Sequence, residues 1–151
     1  IIINSLIFKS RNTVEEIVKI LGSQAVIASI DYRIEDSVPQ VYTNSGSYRV
    51  KKNLYEVVDY CEKLGVGEVF IQNINLDGSS LGYDVDIIKK VVKQSKLPVV
   101  CCSGAGTNLD FSEVAKIKEL SGIAAGNIFN FSERSYPRVK GYLKKEGFNV
   151  R

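Results

Sequence analysis

The sequence predicts an α/β fold in which a parallel sheet is wrapped by helices, and three observations carry that prediction. Short β-branched runs alternate, from one end of the chain to the other, with stretches whose apolar residues recur every three or four positions. The apolar runs are continuous, as in "AVIASID", which suits strands covered on both faces. Each run stops on a polar residue or a glycine, where a strand hands over to a helix. Right-handed crossovers then leave two architectures open, a doubly wound open sheet and a closed (βα)8 barrel. In both, function sits beyond the carboxyl ends of the strands.

Taken in order, "IIIN" (1–4) reads as the end of a strand. Asn12 or Thr13 caps the helix "TVEEIVKIL", whose Val14, Ile17, Val18 and Leu21 form one stripe and which Gly22 stops. The strand "AVIASID" (25–31) ends on the carboxylate of Asp31, and "VPQVYTNSG" reads as a small hairpin. Helix "NLYEVVDYCEKLG" (53–65) leads into strand "EVFIQNIN" (68–75). Helix "YDVDIIKKVVKQS" (83–95) is followed by strand "LPVVCCS" (97–103), and helix "NLDFSEVAKIKEL" (108–120) by the small-residue strand "GIAAGNIF". The helix "YPRVKGYLKKEG" (136–147) closes the order.

A chain of 151 residues suffices for one core, burying roughly 70% of the surface exposed on unfolding. With 44% apolar and 25% charged residues the composition is that of a globular protein, and no membrane span or signal peptide is legible, which favours the cytoplasm. The net charge is only +3, and the basic pairs Lys51-Lys52, Lys89-Lys90 and Lys144-Lys145 lie beside or inside amphipathic helical patterns. They read as solvated faces, so neither nucleic acid nor a membrane is an expected partner. Three cysteines make no disulfide framework, and Cys101 and Cys102, adjacent in a strand, point to opposite faces. There is no histidine, which removes His-containing triads and His-ligated metals and leaves acid–base chemistry to carboxylates or lysines. No metal or other cofactor is expected. Methionine is absent too, so the chain is not expected to be an unprocessed complete translation product.

The strand ends gather Asn4-Ser5, Asp31, the run from Asn73 through Asn75 and Asp77 to Gly78, the turn Cys102 to Gly106, and Gly126-Asn127. "CSGAGTN" is a turn where backbone N–H groups can approach a phosphate, although a tight strand-to-helix turn needs glycine for steric reasons as well. Gly126-Asn127 makes a second such turn, and the two together favour a phosphorylated ligand. Asp31 closes an apolar run, which places its carboxylate at a pocket where partial desolvation raises its pKa; a loop-anchoring Asp is the alternative. Asp77 also reads as an Asx turn before Gly78, and Glu68, at the start of its strand, belongs to the opposite, amino-terminal face.

"GSQAVIASID", "YTNSG", "GVGEVFIQNINLDGSSLGYD", "SGAG" and "GYLKKEGFNVR", in that order, resemble the cyclase subunit of imidazole glycerol phosphate synthase, the HisF family, from the first residue to the last. The resemblance implies a (βα)8 barrel of TIM type, of which residues 1–151 supply the end of the fourth strand through the eighth helix, the carboxyl-terminal half of a single domain. It implies a cyclase that takes ammonia from a HisH-type glutaminase and adds it to a phosphorylated ribulosyl aminoimidazole nucleotide, in histidine biosynthesis. Imidazole glycerol phosphate and an aminoimidazole carboxamide ribotide are the products. Asp31 matches the family's fifth-strand catalytic aspartate and Asp77 a further catalytic aspartate. The first-strand aspartate lies outside the sequence, so a missing amino-terminal half-barrel, or a second half-barrel, is an implied partner. Ser103, Gly104, Gly126 and Asn127 match the turns that grip one substrate phosphate, Asn4, Ser5, Asn73 and Asn75 stand at strand ends around the substrate pocket, and Glu68 matches a gate for ammonia.

Several matched positions depart from the family. Asn75 stands where an Asp is usual, Ser103-Gly104 where a Gly-Gly turn is, Asn127 where a Ser is and Asn130 where a His is, while "GSYRVKK" replaces the loop "GKKNTG". The departures cluster at the ligand end. Three readings follow: a cyclase subunit; a HisF-like conduit that channels ammonia from a HisH-like glutaminase for amidation of surface-polysaccharide sugars, without cyclase activity; and a half-barrel with no activity until it meets another half.

Overall fold

The computed structural model describes residues 1–131 and 136–151. Its strands are β1 (Ile2–Ile3), β2 (Ile27–Glu35), β3 (Val38–Thr43), β4 (Tyr48–Asn53), β5 (Glu68–Asn73), β6 (Val99–Cys102) and β7 (Gly122–Ile123). The helices are α1 (Leu6–Lys9), α2 (Arg11–Leu21), α3 (Leu54–Leu64), α4 (Val85–Gln94), α5 (Asn108–Ala115), α6 (Asn127–Phe131) and α7 (Tyr136–Lys145). All the strands join one sheet, in which β1, β2, β5, β6 and β7 pair in parallel. Their spatial order follows the chain order without reversal. A doubly wound sheet would show a switch point, so the unreversed run of βα units decides for part of a (βα)8 barrel.

The two faces of this parallel sheet differ. Ala28, Ile30 and Tyr32 of β2, Val69 and Ile71 of β5, and Val99 and Cys101 of β6 are buried. They form one core with Leu54, Val57, Val58 and Cys61 of α3 and Ile87, Ile88, Val91 and Val92 of α4. The intervening residues Ile27, Ser29, Asp31, Phe70, Gln72, Val100 and Cys102 are only half-buried. Because alternate side chains project to opposite faces, the helices cover one face and leave the other open. Burying each large aliphatic side chain on the covered face contributes about 1.5–3 kcal/mol.

Several boundaries differ from those the sequence predicts. The cap of α2 is Ser10, not Asn12 or Thr13: its Oγ accepts from the Thr13 N–H at 3.4 Å, and Arg11, now helical, pairs with Glu15 at 2.7 Å. A run of four cap-type or polar residues offers several starts, and the earliest that also gains an i,i+4 ion pair is taken. The short helix α1 was hidden in "LIFKS", too brief to show a period. Strand β2 does not stop at Asp31 but runs to Glu35 and folds back on β3 through Asp36 and Ser37, both at positive φ. The hairpin is therefore a three-stranded meander, β2-β3-β4, with Asp31 opposite Tyr42. Strand β7 is shorter than "GIAAGNIF", because Ala-Ala-Gly has little β preference and Asn127 starts α6. The predicted helix 108–120 ends as an α-helix at Ala115.

Helix α3 begins as the sequence predicts. Asn53 Oδ1 accepts from the Glu56 N–H at 3.1 Å while Glu56 Oε2 accepts from the Asn53 N–H at 2.9 Å, and Gly65 at φ 78° ends the helix. No helix of the described residues is long and apolar enough to cross a membrane. The Asn53→Ala variant is expected to lose about 1 kcal/mol of stability and roughly 2–4 °C in Tm; an unchanged thermal transition would show that tertiary packing alone fixes the start of α3.

Candidate functional site at the carboxyl ends of the strands

The parallel register sets the row that matters. Asp31 lies beside Gln72, and Gln72 beside Cys102, so the three side chains share the open face at the carboxyl end of the sheet. Burial raises the Asp31 carboxyl above the usual range, and a hydrogen bond from the Asn4 side chain partly offsets the effect. Asn4 is held in place because its Nδ2 donates to the Ser29 carbonyl at 3.1 Å. Ser5 Oγ donates to Asn4 Oδ1 at 3.1 Å and accepts from the Asn44 N–H at 3.2 Å, which ties the β3–β4 turn to the same end. Asn4, Ser5 and Asp31 are thus brought together.

Three loops close on one another beside this row. In the β6–α5 turn, Ser103 and Gly104 have φ of 87° and 97°. A Cβ on Gly104 would sit 1.9 Å from the Gly82 carbonyl oxygen, while the Gly82 N–H donates to the Gly104 carbonyl at 2.8 Å. Glycine is required there by conformation and by contact. Asn127 Nδ2 comes within 2.7 Å of where a Gly78 Cβ would stand, and the Tyr83 hydroxyl donates to the Ala124 carbonyl at 2.9 Å. The loop carrying Asn75 and Asp77 therefore touches both glycine turns. Asp77 itself is exposed, yet close enough to Cys102 to add to the upward shift that burial gives that thiol.

The donors available for a ligand can be named. Asp110 Oδ2 accepts from the Gly106 and Thr107 N–H groups at 2.9 and 2.6 Å, so the first turn of α5 already holds a carboxylate. The Gly104 and Ala105 N–H groups donate to no protein acceptor among the described residues. Ser103 is 5% exposed, and its Oγ meets no oxygen or nitrogen partner among the described residues, lying against the Cys102 sulfur. Asn108 Oδ1 is likewise buried without a partner. A buried hydroxyl free to donate beside a glycine turn fits an anionic oxygen ligand, whereas the Asn108 Oδ1 is an acceptor and does not. Among the described residues no group of carboxylates and thiols gathers to hold a metal.

Not every residue singled out from the sequence arrives here. Asn73 is 3% exposed and sits on the helix-covered face, one residue out of phase with Gln72. Its Nδ2 donates to Asp84 Oδ2 at 3.1 Å and its Oδ1 accepts from the Asn75 N–H at 3.1 Å, so it braces the loop and does not line the open face. Glu68 shares the open face with Asp31, but at the amino end of β5, beside Ile27. Four residues of strand, about 13 Å, separate it from Gln72, with Phe70 between them on the same face. Gly126 has nothing within 4 Å of its Cβ position, and Asn127 is the first residue of α6. Gln72, Asp84 and Asp110 were not singled out from sequence; only the strand register and the loop contacts distinguish them from ordinary polar residues.

Comparison with known proteins agrees with this fold. The profile of the family described as "Histidine biosynthesis protein" matches residues 1–135. The subunit HisF of imidazole glycerol phosphate synthase from a Hydrogenobaculum species is 34% identical over 150 residues, covering 99% of this chain and 60% of the relative. The HisF subunit of Petrotoga mobilis is 35% identical over 153 residues, covering 100% of this chain and 60% of the relative. That of Saccharolobus solfataricus is 32% identical over 149 residues, with 99% and 59% covered. The chain thus spans about 60% of the length of these curated relatives. With a run of βα units in barrel order, a half-buried aspartate on the open face and a family match over most of its length, the chain belongs to the histidine biosynthesis protein family.

Proposed function

We propose that this chain carries one half of the acid–base machinery and one phosphate grip of a HisF-type cyclase, within a protein that forms imidazole glycerol phosphate and an aminoimidazole carboxamide ribotide. The observation that carries the reading is Asp31: a carboxyl raised by burial, on the open face, at the same end of the sheet as the glycine turns that follow β6 and β7. A carboxyl whose pKa burial has raised holds its proton more readily than an exposed one, and can donate a proton and take one back at the same centre. Asp77, on the facing loop, is the second acid in reach of the mouth. The N–H groups of Gly104 and Ala105, the Ser103 hydroxyl and the Gly126-Asn127 turn would hold a phosphate. Asn4 and Ser5 orient Asp31, and Asn75 borders the entrance.

The open face implies the rest. Parallel strands with apolar side chains on both faces are normally covered on both, and here Ile27, Phe70 and Val100 are only half-buried. The remaining βα units of a single barrel, of which residues 1–151 are the carboxyl-terminal half, would cover them and bring a first-strand aspartate opposite Asp31. The strip from Glu68 past Phe70 to Gln72 would then become an enclosed path from the amino-terminal mouth. Ammonia released by a HisH-type glutaminase docked at that mouth would travel along it, with Glu68 at the entrance.

A second reading keeps the conduit and drops ring closure. It is favoured by Ser103, a non-glycine residue held at φ 87° in the phosphate turn, where a β-carbon costs about 1–2 kcal/mol. On this reading the protein is a HisF-like partner of a HisH-like glutaminase and passes ammonia to the amidation of surface-polysaccharide sugars.

In the intact protein, Asp31→Asn is expected to reduce ammonia-dependent turnover of the aminoimidazole nucleotide by ~10²–10⁴. Stimulation of a partner glutaminase without any such turnover by the unmodified protein would establish the conduit reading. The same variant gives a stability test. Because burial raises the folded pKa of Asp31, the carboxyl favours the folded state below its unfolded pKa and loses that advantage as pH rises through the folded value. Thermal unfolding of Asp31→Asn against the unmodified protein should show the variant gaining relative stability from acid to neutral pH; a variant less stable at neutral pH would make Asp31 a structural anchor. Gly126 has open space at its Cβ position and no positive φ, so packing does not demand glycine there. Gly126→Ala is therefore expected to leave Tm unchanged and to weaken binding of the phosphorylated substrate at least tenfold; unchanged affinity would remove this turn from the phosphate site.

A further inference from the structure

Arg33 follows Asp31 by two residues on β2 and so projects from the same open face. Its guanidinium carbon lies 4.7 Å from the centroid of the Tyr42 ring, and Tyr42 is the cross-strand partner of Asp31. The head group thus leans back toward the Asp31 row. The β3–β4 turn closes over it: a Cβ on Gly46 would stand 2.8 Å from one terminal nitrogen of Arg33 and 3.1 Å from the Ile74 side chain. Gly46 has a φ of 77°, so the glycine meets both a backbone and a steric need.

No acid among the described residues answers this cation. Glu35, the next residue on the same face, accepts from the Tyr42 hydroxyl and pairs with Arg49 at 3.5 Å. The Asp31 carboxyl is shifted by burial and by Asn4 alone. Among the described residues Arg33 forms no salt bridge, and its guanidinium N–H groups donate to no protein acceptor. A guanidinium lying on an aromatic ring keeps its in-plane N–H edge for a planar or tetrahedral oxyanion. Half-burial lowers the competition from water for such a pair.

We propose that Arg33 is an anion-binding residue of this mouth, taking a phosphate or carboxylate of the ligand whose reacting centre faces Asp31. The assignment rests on the reading of that mouth as the substrate site.

The test is a titration of the ¹⁵N-labelled protein with ribose 5-phosphate and, separately, with glucuronate, following the Arg33 Nε–H and the Gly104 and Asn127 amides. A shift of the Arg33 Nε–H with one probe supports the assignment and identifies the oxyanion; shifts with both support an unselective oxyanion site. Arg33→Gln should then weaken that probe about ten- to a hundredfold, with Arg33→Lys between the two. If the Gly104 and Asn127 amides move with ribose 5-phosphate while the Arg33 Nε–H does not, the assignment falls and the phosphate turn stands. If nothing moves with either probe, both fall.

Discussion

Everything at this site depends on strand register. A parallel ladder locked from Ile27 opposite Glu68 to Tyr32 opposite Asn73 decides which of two neighbouring residues enters the core and which enters the mouth. Slipping it by one residue would exchange Asp31 for Tyr32 and Gln72 for Asn73. The energy that prevents the slip is hydrophobic and lies on the other face, where Ile30, Tyr32, Val69 and Ile71 are almost completely buried under α3 and α4. The position of the candidate acid is thus set by residues that never touch a ligand.

The loops add a second layer of constraint, and they do so through glycine and carboxylate. Gly104 must approach Gly82 at backbone distance, and Gly78 must leave room for Asn127. Asp110 occupies the N–H groups that a phosphate would otherwise find at the first turn of α5. The N–H groups left without a protein acceptor among the described residues are those just before, at Gly104 and Ala105, next to the strained Ser103. Asn73, Asp84 and the Asn75 backbone hold the Asp77 loop from behind. Desolvation raises Asp84 as well, with Asn73 partly offsetting it, so this brace is a polar network, buried at Asn73 and half-buried at Asp84, whose members support one another.

Much of this was legible in the sequence because the signals were local. The helix from Asn53 to its stop at Gly65, the continuous apolar runs and the glycine turns each lie within a few residues and have a single physical meaning. Family resemblance added the barrel, and with it the proposed role of Asp31. What failed was what depends on partners far along the chain. Asn73 read as a pocket residue because strand ends collect polar side chains, but its phase is fixed only by pairing with Tyr32. The extension of β2 beyond Asp31 was hidden because the antiparallel meander needs Val38–Thr43 to return alongside. Arg33 carries no local signal at all: its environment is made by Tyr42, Gly46 and Ile74, brought together by that same meander.

Cys101 and Cys102 report the two faces directly, since they are adjacent in β6 and differ only in phase. Cys101 is fully buried with its thiol pushed up to about 12, whereas Cys102 is half-buried in the row of Gln72 and Asp31. Native-state alkylation with iodoacetamide, read by peptide mass spectrometry, should modify Cys102 while Cys101 and Cys61 react only on unfolding. Modification of Cys101 ahead of Cys102 would mean that the register is shifted by one and that Asp31 does not face the mouth.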